Sequence, residues 1–240
     1  MASHIRIAAV LAALLLVAPC HTADGPLFRA DFEDGLRAQG ADPPEPSGAG
    51  GGGYEVSARG REHPIGVAVD DAFWAQGGHC LRLADMVQWH VGRQDVVAGR
   101  LSLYLMPLSL PWEGERRELI WGGDAAKPYQ TLRVEMDHKG RVCFSYYSWQ
   151  RQQSWLGEIT SAGGLRPRRW NHLALTWGEH GQRVYVNGAL SAQSAESYPL
   201  SWLFDLRLGG FGGFVDEVEL APTDDPPLVT VPDVQWEPTT

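Results

Sequence analysis

The chain has three cysteines in 240 residues, and one of them, Cys20, lies in the N-terminal stretch. A small domain held by a dense disulfide framework is therefore excluded, and Cys80 and Cys143 are the one pair left for a bridge. Helical periodicity is almost absent after the N-terminal stretch, which argues against helix bundles and α/β architectures. No later apolar run approaches the length of a membrane span. Positive charge is also short. The formal net charge is −9 at pH 7, a surface unsuited to nucleic acid. No internal repeat is visible.

What is present is a content of 44% apolar and 10% aromatic residues, enough to bury the core of one larger all-β domain. The N-terminus carries Arg6 and then an unbroken apolar run from Ile7 to Val17, too short for a spanning helix, and it reads as a signal peptide over residues 1–23. Small Ala23 precedes the polar Asp24-Gly25, so cleavage there removes Arg6 and moves the net charge from −9 to −10. A second reading takes Cys20 as a lipidated N-terminal cysteine, with Pro19 out of place for that signal. Either way the protein is expected to be exported, secreted or periplasmic or at the cell surface. In an oxidising compartment Cys80 and Cys143 are open to two readings, a disulfide between distant strands or two separate buried thiols. A bridge would need their Cα atoms within about 7 Å.

Short alternating runs bounded by Gly, Pro, Asn and Asp recur throughout. They predict strands over 28–32, 79–83, 100–106, 118–121, 130–136, 142–148, 172–177, 183–186, 206–208 and 214–220. Met136-Asp137-His138-Lys139-Gly140-Arg141 and Trp177-Gly178-Glu179-His180-Gly181-Gln182 place tight polar turns between two such runs. Asn187-Gly188 suits a two-residue turn with positive φ, folding a strand around Leu190 back on 183–186. Residues 41–53 form a Pro-rich, then Gly-rich loop within a domain spanning 24–220, and residues 221–240 form an acidic, Pro-rich tail.

The segment Arg169-Trp170-Asn171-His172-Leu173-Ala174-Leu175-Thr176-Trp177, returning through Arg183-Val184-Tyr185-Val186-Asn187-Gly188, resembles the signature hairpin of laminin G-like domains of the concanavalin A-like lectin/glucanase superfamily. Phe28 to Gly35 and Leu208 to Leu220 resemble the first and last strands of that family. The resemblance implies a two-sheet antiparallel jelly-roll β-sandwich in which the terminal strands pair. It also implies a structural calcium ion held by Asp31, the carbonyl of Gly78 and Asp216, oxygen donors of the kind calcium prefers. Trp170 is expected to anchor the core.

Glycosidase relatives carry two glutamates and an aspartate alternating on one strand. The nearest approach here is Glu135-Met136-Asp137, interrupted by the turn, so no catalytic residue is assigned and the chain is expected not to be an enzyme. Glu217 and Glu219 share a strand face but sit on a terminal strand. His63, His79, His90, His138, His172 and His180 form no metal-ligand spacing, and no Gly-x-Ser-x-Gly elbow occurs. Arg166-Pro167-Arg168-Arg169 is a small basic loop. Sugar recognition favours aromatic rings beside polar side chains. The best sequence candidate for that is Tyr147, Trp149, Arg151 and Trp155, with Trp89, Trp112 and Trp121 behind it. The expected function is a binding module for carbohydrate or another extracellular macromolecule. The alternatives are a polysaccharide hydrolase or lyase with an unrecognised site, and a structural or adhesive protein with a protein partner.

Overall fold

The computed structural model describes residues 26–32, 37–41, 66–68, 80–83, 86–124, 130–148, 154–209, 211–226 and 228–231. The alternating runs become strands: β1 (Phe28–Ala30), β2 (Gly66–Ala68), β3 (Cys80–Leu83), β4 (Val87–Val96), β5 (Gly99–Pro107), β6 (Arg116–Gly123), β7 (Gln130–Asp137), β8 (Arg141–Ser148), β9 (Ser154–Gly164), β10 (Asn171–Trp177), β11 (Gln182–Val186), β12 (Ala189–Ser194), β13 (Leu200–Leu208) and β14 (Gly213–Ala221). They pair into two antiparallel sheets. One has the order β12-β11-β10-β5-β14-β3-β2, with β1 also on β14, and the six-stranded one has the order β4-β13-β6-β7-β8-β9. This is the expected sandwich, and its first and last strands pair as anticipated, Phe28 with Leu220 and Ala30 with Val218.

The core lies between the sheets because alternate positions of both point into it. Leu101, Leu103 and Leu105 of β5 and Leu173, Leu175 and Trp177 of β10 face Leu132, Val134 and Met136 of β7, Val142 and Phe144 of β8, and Leu206 and Leu208 of β13. Trp89 belongs to this core, fully buried with Phe28 packed edge-on at 5.5 Å, which removes it from the candidate ligand residues.

The turn chemistry works as the residues suggest. Asp137 accepts the backbone N–H of Lys139 at 2.8 Å and of Arg141 at 2.9 Å, closing the β7–β8 hairpin. Asn187 and Gly188 both take positive φ, 54° and 79°, between β11 and β12. Asn187 also accepts the His172 N–H through its side chain at 2.8 Å and donates its own N–H to the His172 carbonyl at 2.8 Å. The turn is thereby tied to the start of β10.

Three expectations change. The first strand ends at Ala30, two residues early, because Phe32 turns away at φ 61°. Cys80 and Cys143 are separate buried thiols and form no disulfide. Cys80 packs with Tyr104, Met106, Trp170 and Phe214 on the outside of the larger sheet. Cys143 lies between core residues Val142 and Phe144, hence on the outside of the other sheet, so the whole core separates them. The described part of the tail lies along the surface of the larger sheet. Val229 and Val231 pack on the Cys80 cluster, and Tyr104 donates its hydroxyl to the Thr230 carbonyl at 3.2 Å. Third, Trp170 anchors this outer cluster and not the core between the sheets. The loop over 42–53 lies outside the described residues.

Candidate functional site

Strand alternation that buries one set of side chains necessarily presents the other set. On the six-stranded sheet the presented set is chemically dense. Arg207 stands between the core residues Leu206 and Leu208, and Arg133 between Leu132 and Val134. Trp121 stands between Ile120, a core residue, and Gly122, whose missing side chain would meet core Leu203 and Leu132. Strand register sets these in one line, Gln88 opposite Arg207, Arg207 opposite Trp121, Trp121 opposite Arg133 and Arg133 opposite Ser145. The Arg207 guanidinium lies over the Trp121 ring at 4.7 Å, a cation–π contact.

A chain of ion pairs crosses this line. Arg207 meets Glu118 at 3.1 Å and Glu118 meets Arg133 at 3.5 Å. Arg133 meets Glu135 at 3.2 Å and Glu135 meets Arg116 at 3.6 Å. Arg116 then grips Glu158 with two hydrogen bonds of 3.1 Å each, a fork that raises the guanidinium pKa against the opposing effect of desolvation. Three arginines thus balance three glutamates across β13, β6, β7 and β9. The chain fixes long side chains that would otherwise sample many rotamers, at a contribution of roughly 0–1 kcal/mol per exposed pair.

The neighbouring row adds polar groups. His90 Nδ1 lies 3.0 Å from the Asp205 carboxylate, and the His90 ring stacks near Phe204 at 6.2 Å. Asp205 pairs in register with Gly123, so the row has no side chain at that point, beside Trp121. Thr131 pairs with Tyr147, and Tyr147 with Trp155, toward the far edge. Register brings Tyr147 and Trp155 opposite each other on the same sheet. Trp149 and Arg151 lie outside the described residues.

Sequence reasoning ranked Trp121 low and missed Arg207, Glu118, Arg133 and Asp205. The signal available was the polar half of each alternating run. What was missing was the register that lines those halves up.

Other candidates are consumed elsewhere. Burial pushes the Asp137 carboxyl up, but Arg141 and the two turn N–H groups outweigh it and hold the group below the usual carboxylate range. Glu217 sits at a bulge with φ 48° and pairs with Arg29 at 3.0 Å, and Glu219 pairs with Arg100 at 2.6 Å. Burial, with help from Asp31 and Glu219, raises the Glu217 carboxyl despite Arg29. Arg166 and Arg168 are exposed loop residues, and Trp177 is core.

Of the residues expected around a calcium ion, Gly78 lies outside the described residues. Asp31 follows β1 and is partly exposed, 3.9 Å from Arg29, while Asp216 is wholly buried on β14 and accepts the Glu217 N–H at 2.8 Å. Burial foremost, and the Asp216 carboxylate after it, push the Cys80 thiol up to about 12. Carboxylates at the β1–β14 junction suit a hard cation in kind. Among the described residues no three His, Cys, Asp or Glu groups are arranged around one metal position.

Comparison with known proteins agrees with this architecture. The laminin G-like family profile, described as Concanavalin A-like lectin/glucanases superfamily, matches residues 101–220. No curated protein sequence matches. Among solved structures, domain 4 of AbnA, a GH43 extracellular arabinanase from Geobacillus stearothermophilus solved with arabinotriose, is similar in fold. It has 13% identity, TM-score 0.56, and coverage of 81% of this chain and 91% of that one. The CBM40 of Ruminococcus gnavus IT-sialidase, bound to α2,3 sialyllactose, matches with 13% identity, TM-score 0.47, and coverage of 60% of this chain and 90% of that one. Caenorhabditis elegans galectin LEC-6 matches with 20% identity, TM-score 0.41, and coverage of 58% and 93%.

Proposed function

We propose, from the premise that this chain belongs to the concanavalin A-like lectin/glucanases superfamily, that it is a non-catalytic module binding carbohydrate on the outward face of its six-stranded sheet. The observation that carries the reading is the Trp121–Arg207 pair set in a lattice of fixed arginine and glutamate side chains. An indole supplies an apolar plane for a sugar ring, and the fixed N–H and carboxylate groups around it supply donors and acceptors for hydroxyls. Glu118, Glu135 and Glu158 are each held by arginine, which suits reading hydroxyls better than delivering a proton. The fold by itself favours no chemistry, since sandwiches of this kind carry several.

Glycan-array binding by the protein from Asp24 onward tests the reading, beside Trp121→Ala and Arg207→Ala variants. The expected result is specific binding that falls at least about tenfold in each variant while thermal unfolding is retained, a loss equivalent to about 1.4 kcal/mol. A folded protein that binds no glycan, or binds it undiminished in both variants, overturns the assignment. Tyr147→Ala and Trp155→Ala variants test whether the β8–β9 edge belongs to the same site.

Two further features belong to the proposal. The protein acts after export, released or anchored at Cys20. It holds one structural calcium ion at the β1–β14 junction, with Asp31, Asp216 and the Gly78 carbonyl as donors. Such an ion would stabilise the folded form by mass action. Melting is therefore expected to shift upward by several degrees in millimolar calcium and to fall back with chelator. The same midpoint in both overturns the calcium site.

A further inference from the structure

Trp112 is 76% exposed, yet the backbone that presents it is pinned. Leu110 packs against the core and Pro111 is buried, so the chain is anchored immediately before the indole. A tight turn follows. Glu115 donates its N–H to the Trp112 carbonyl at 3.0 Å, Gly114 takes φ 84°, and the Glu115 carboxylate reaches the Trp112 N–H at 3.4 Å. Arg117 then ties the loop back to Ser109 Oγ at 3.0 Å and to the Phe211 carbonyl at 3.3 Å. Isolated exposed apolar residues are ordinary on a protein surface. A large ring on a pinned support is different, since it offers contact area with little entropy left to lose on binding.

The position of this turn matters. It leads directly into β6, whose first residue, Arg116, is the arginine nearest the Glu158 end of the ion-pair chain, and whose sixth residue is Trp121. From Arg116 to Trp121 the strand advances about 16 Å at roughly 3.3 Å per residue, with Trp112 beyond it. One sugar ring cannot touch both indoles. Arg207 and Arg133 stand beside Trp121 in its row, Glu118, Glu135 and Arg116 follow toward the turn with Glu158 paired to Arg116, a balance of three against three, and Glu113 and Glu115 come just after Trp112 with exposed carboxylates. A polyanion gains nothing from that surface, whereas an uncharged chain rich in hydroxyls meets donors and acceptors along its length.

We infer that Trp112 is a second stacking platform and that the ligand is an uncharged linear oligosaccharide several rings long, running along β6 from Trp121 to the Trp112 turn. This rests on the reading of the six-stranded face as the carbohydrate site. It differs from that reading in requiring chain length, which a terminal monosaccharide or a short branched epitope would not supply.

The test is calorimetric titration with neutral linear cello-, xylo-, laminari- and arabino-oligosaccharides from disaccharide to hexasaccharide, using the wild-type protein, Trp112→Ala and Trp121→Ala. Affinity is expected to rise with length for at least one series. Trp112→Ala should remove that gain, about tenfold for the longest member, and leave the shortest binder unchanged, because an exposed indole takes no part in the core. Trp121→Ala should weaken every member. Affinity indifferent to length, or a Trp112→Ala effect equal for short and long members, overturns this inference and leaves the Trp121 site standing. Binding of no series, or binding unaffected by Trp121→Ala, overturns both together.

Discussion

Replacing Trp177 with alanine is expected to destabilise the fold by about 3–5 kcal/mol, the usual cost of truncating a buried aromatic ring. Trp177 ends β10 with no exposed surface, and its indole fills the space opposite Gly99, where an added Cβ would lie 2.4 Å from its Cζ2. Its Nε1–H also donates to the Val96 carbonyl at 3.1 Å, so one side chain joins β10 of the larger sheet to β4 of the smaller. Truncation leaves a cavity and an unsatisfied carbonyl at once. Against a typical domain stability of about 5–15 kcal/mol, that is a large share. Trp177→Phe keeps much of the ring and loses the hydrogen bond, so it should cost about 1–3 kcal/mol. Urea unfolding at constant m-value measures both. A Trp177→Ala loss below about 1 kcal/mol would mean that the two sheets are not held together through this residue.

The second large effect is acid sensitivity centred on His172. Its side chain is buried, with Nδ1 making no hydrogen bond and the Tyr104 ring edge-on at 4.8 Å. Burial, and secondly the positive charge of Arg100, push the imidazole down to about 4 from an ordinary 6.5. The folded state therefore disfavours the protonated ring. Its contribution is fully present above pH 6.5 and is lost as pH falls from there toward 4. The gap between those values corresponds to about 3 kcal/mol. His172→Phe keeps a ring against Tyr104 and removes the titration, while the backbone bonds to Asn187 are unaffected. The stability of wild type relative to this variant should fall by about 3 kcal/mol between pH 7 and pH 4. Parallel stability curves for the two proteins would show that His172 is hydrated in solution. Asp137 acts in a separate window, below the ordinary carboxylate value, because its own pKa is lowered.

The same two residues show how far local reading reaches. Leu173, Leu175 and Trp177 alternate in sequence and face the core, so burial of Trp177 was legible from spacing. Trp89 alternates just as well in Val87-Gln88-Trp89-His90-Val91, yet β4 was not predicted. Its run is interrupted at Gly92 by a positive φ of 67°, and β9 was hidden in the same way by Gly157 at φ 59°. Nor could spacing show that Trp121 faces outward. It ends the apolar run Leu119-Ile120-Trp121, in which Leu119 and Ile120 are both buried, and only pairing with β13 sets which side meets the other sheet.

The pairing of first and last strands was legible only through the family resemblance, whereas the sequence by itself determined the sandwich and the turns at Asp137 to Arg141 and at Asn187-Gly188. These depend on side-chain alternation and on residues that accept particular backbone angles, both of which are local properties. Tertiary structure alone decided the candidate site. Arg207, Trp121 and Arg133 are separated in sequence by intervals with no regular spacing, and they form one row only because three strands pair in a given register. It also decided the fate of Cys80 and Cys143, since two strands of suitable pattern place their thiols on opposite outer faces once the sheets close over the core. Local pattern says which side chains share a face. Which faces meet, and what lines up across them, is set by long-range pairing between segments distant along the chain.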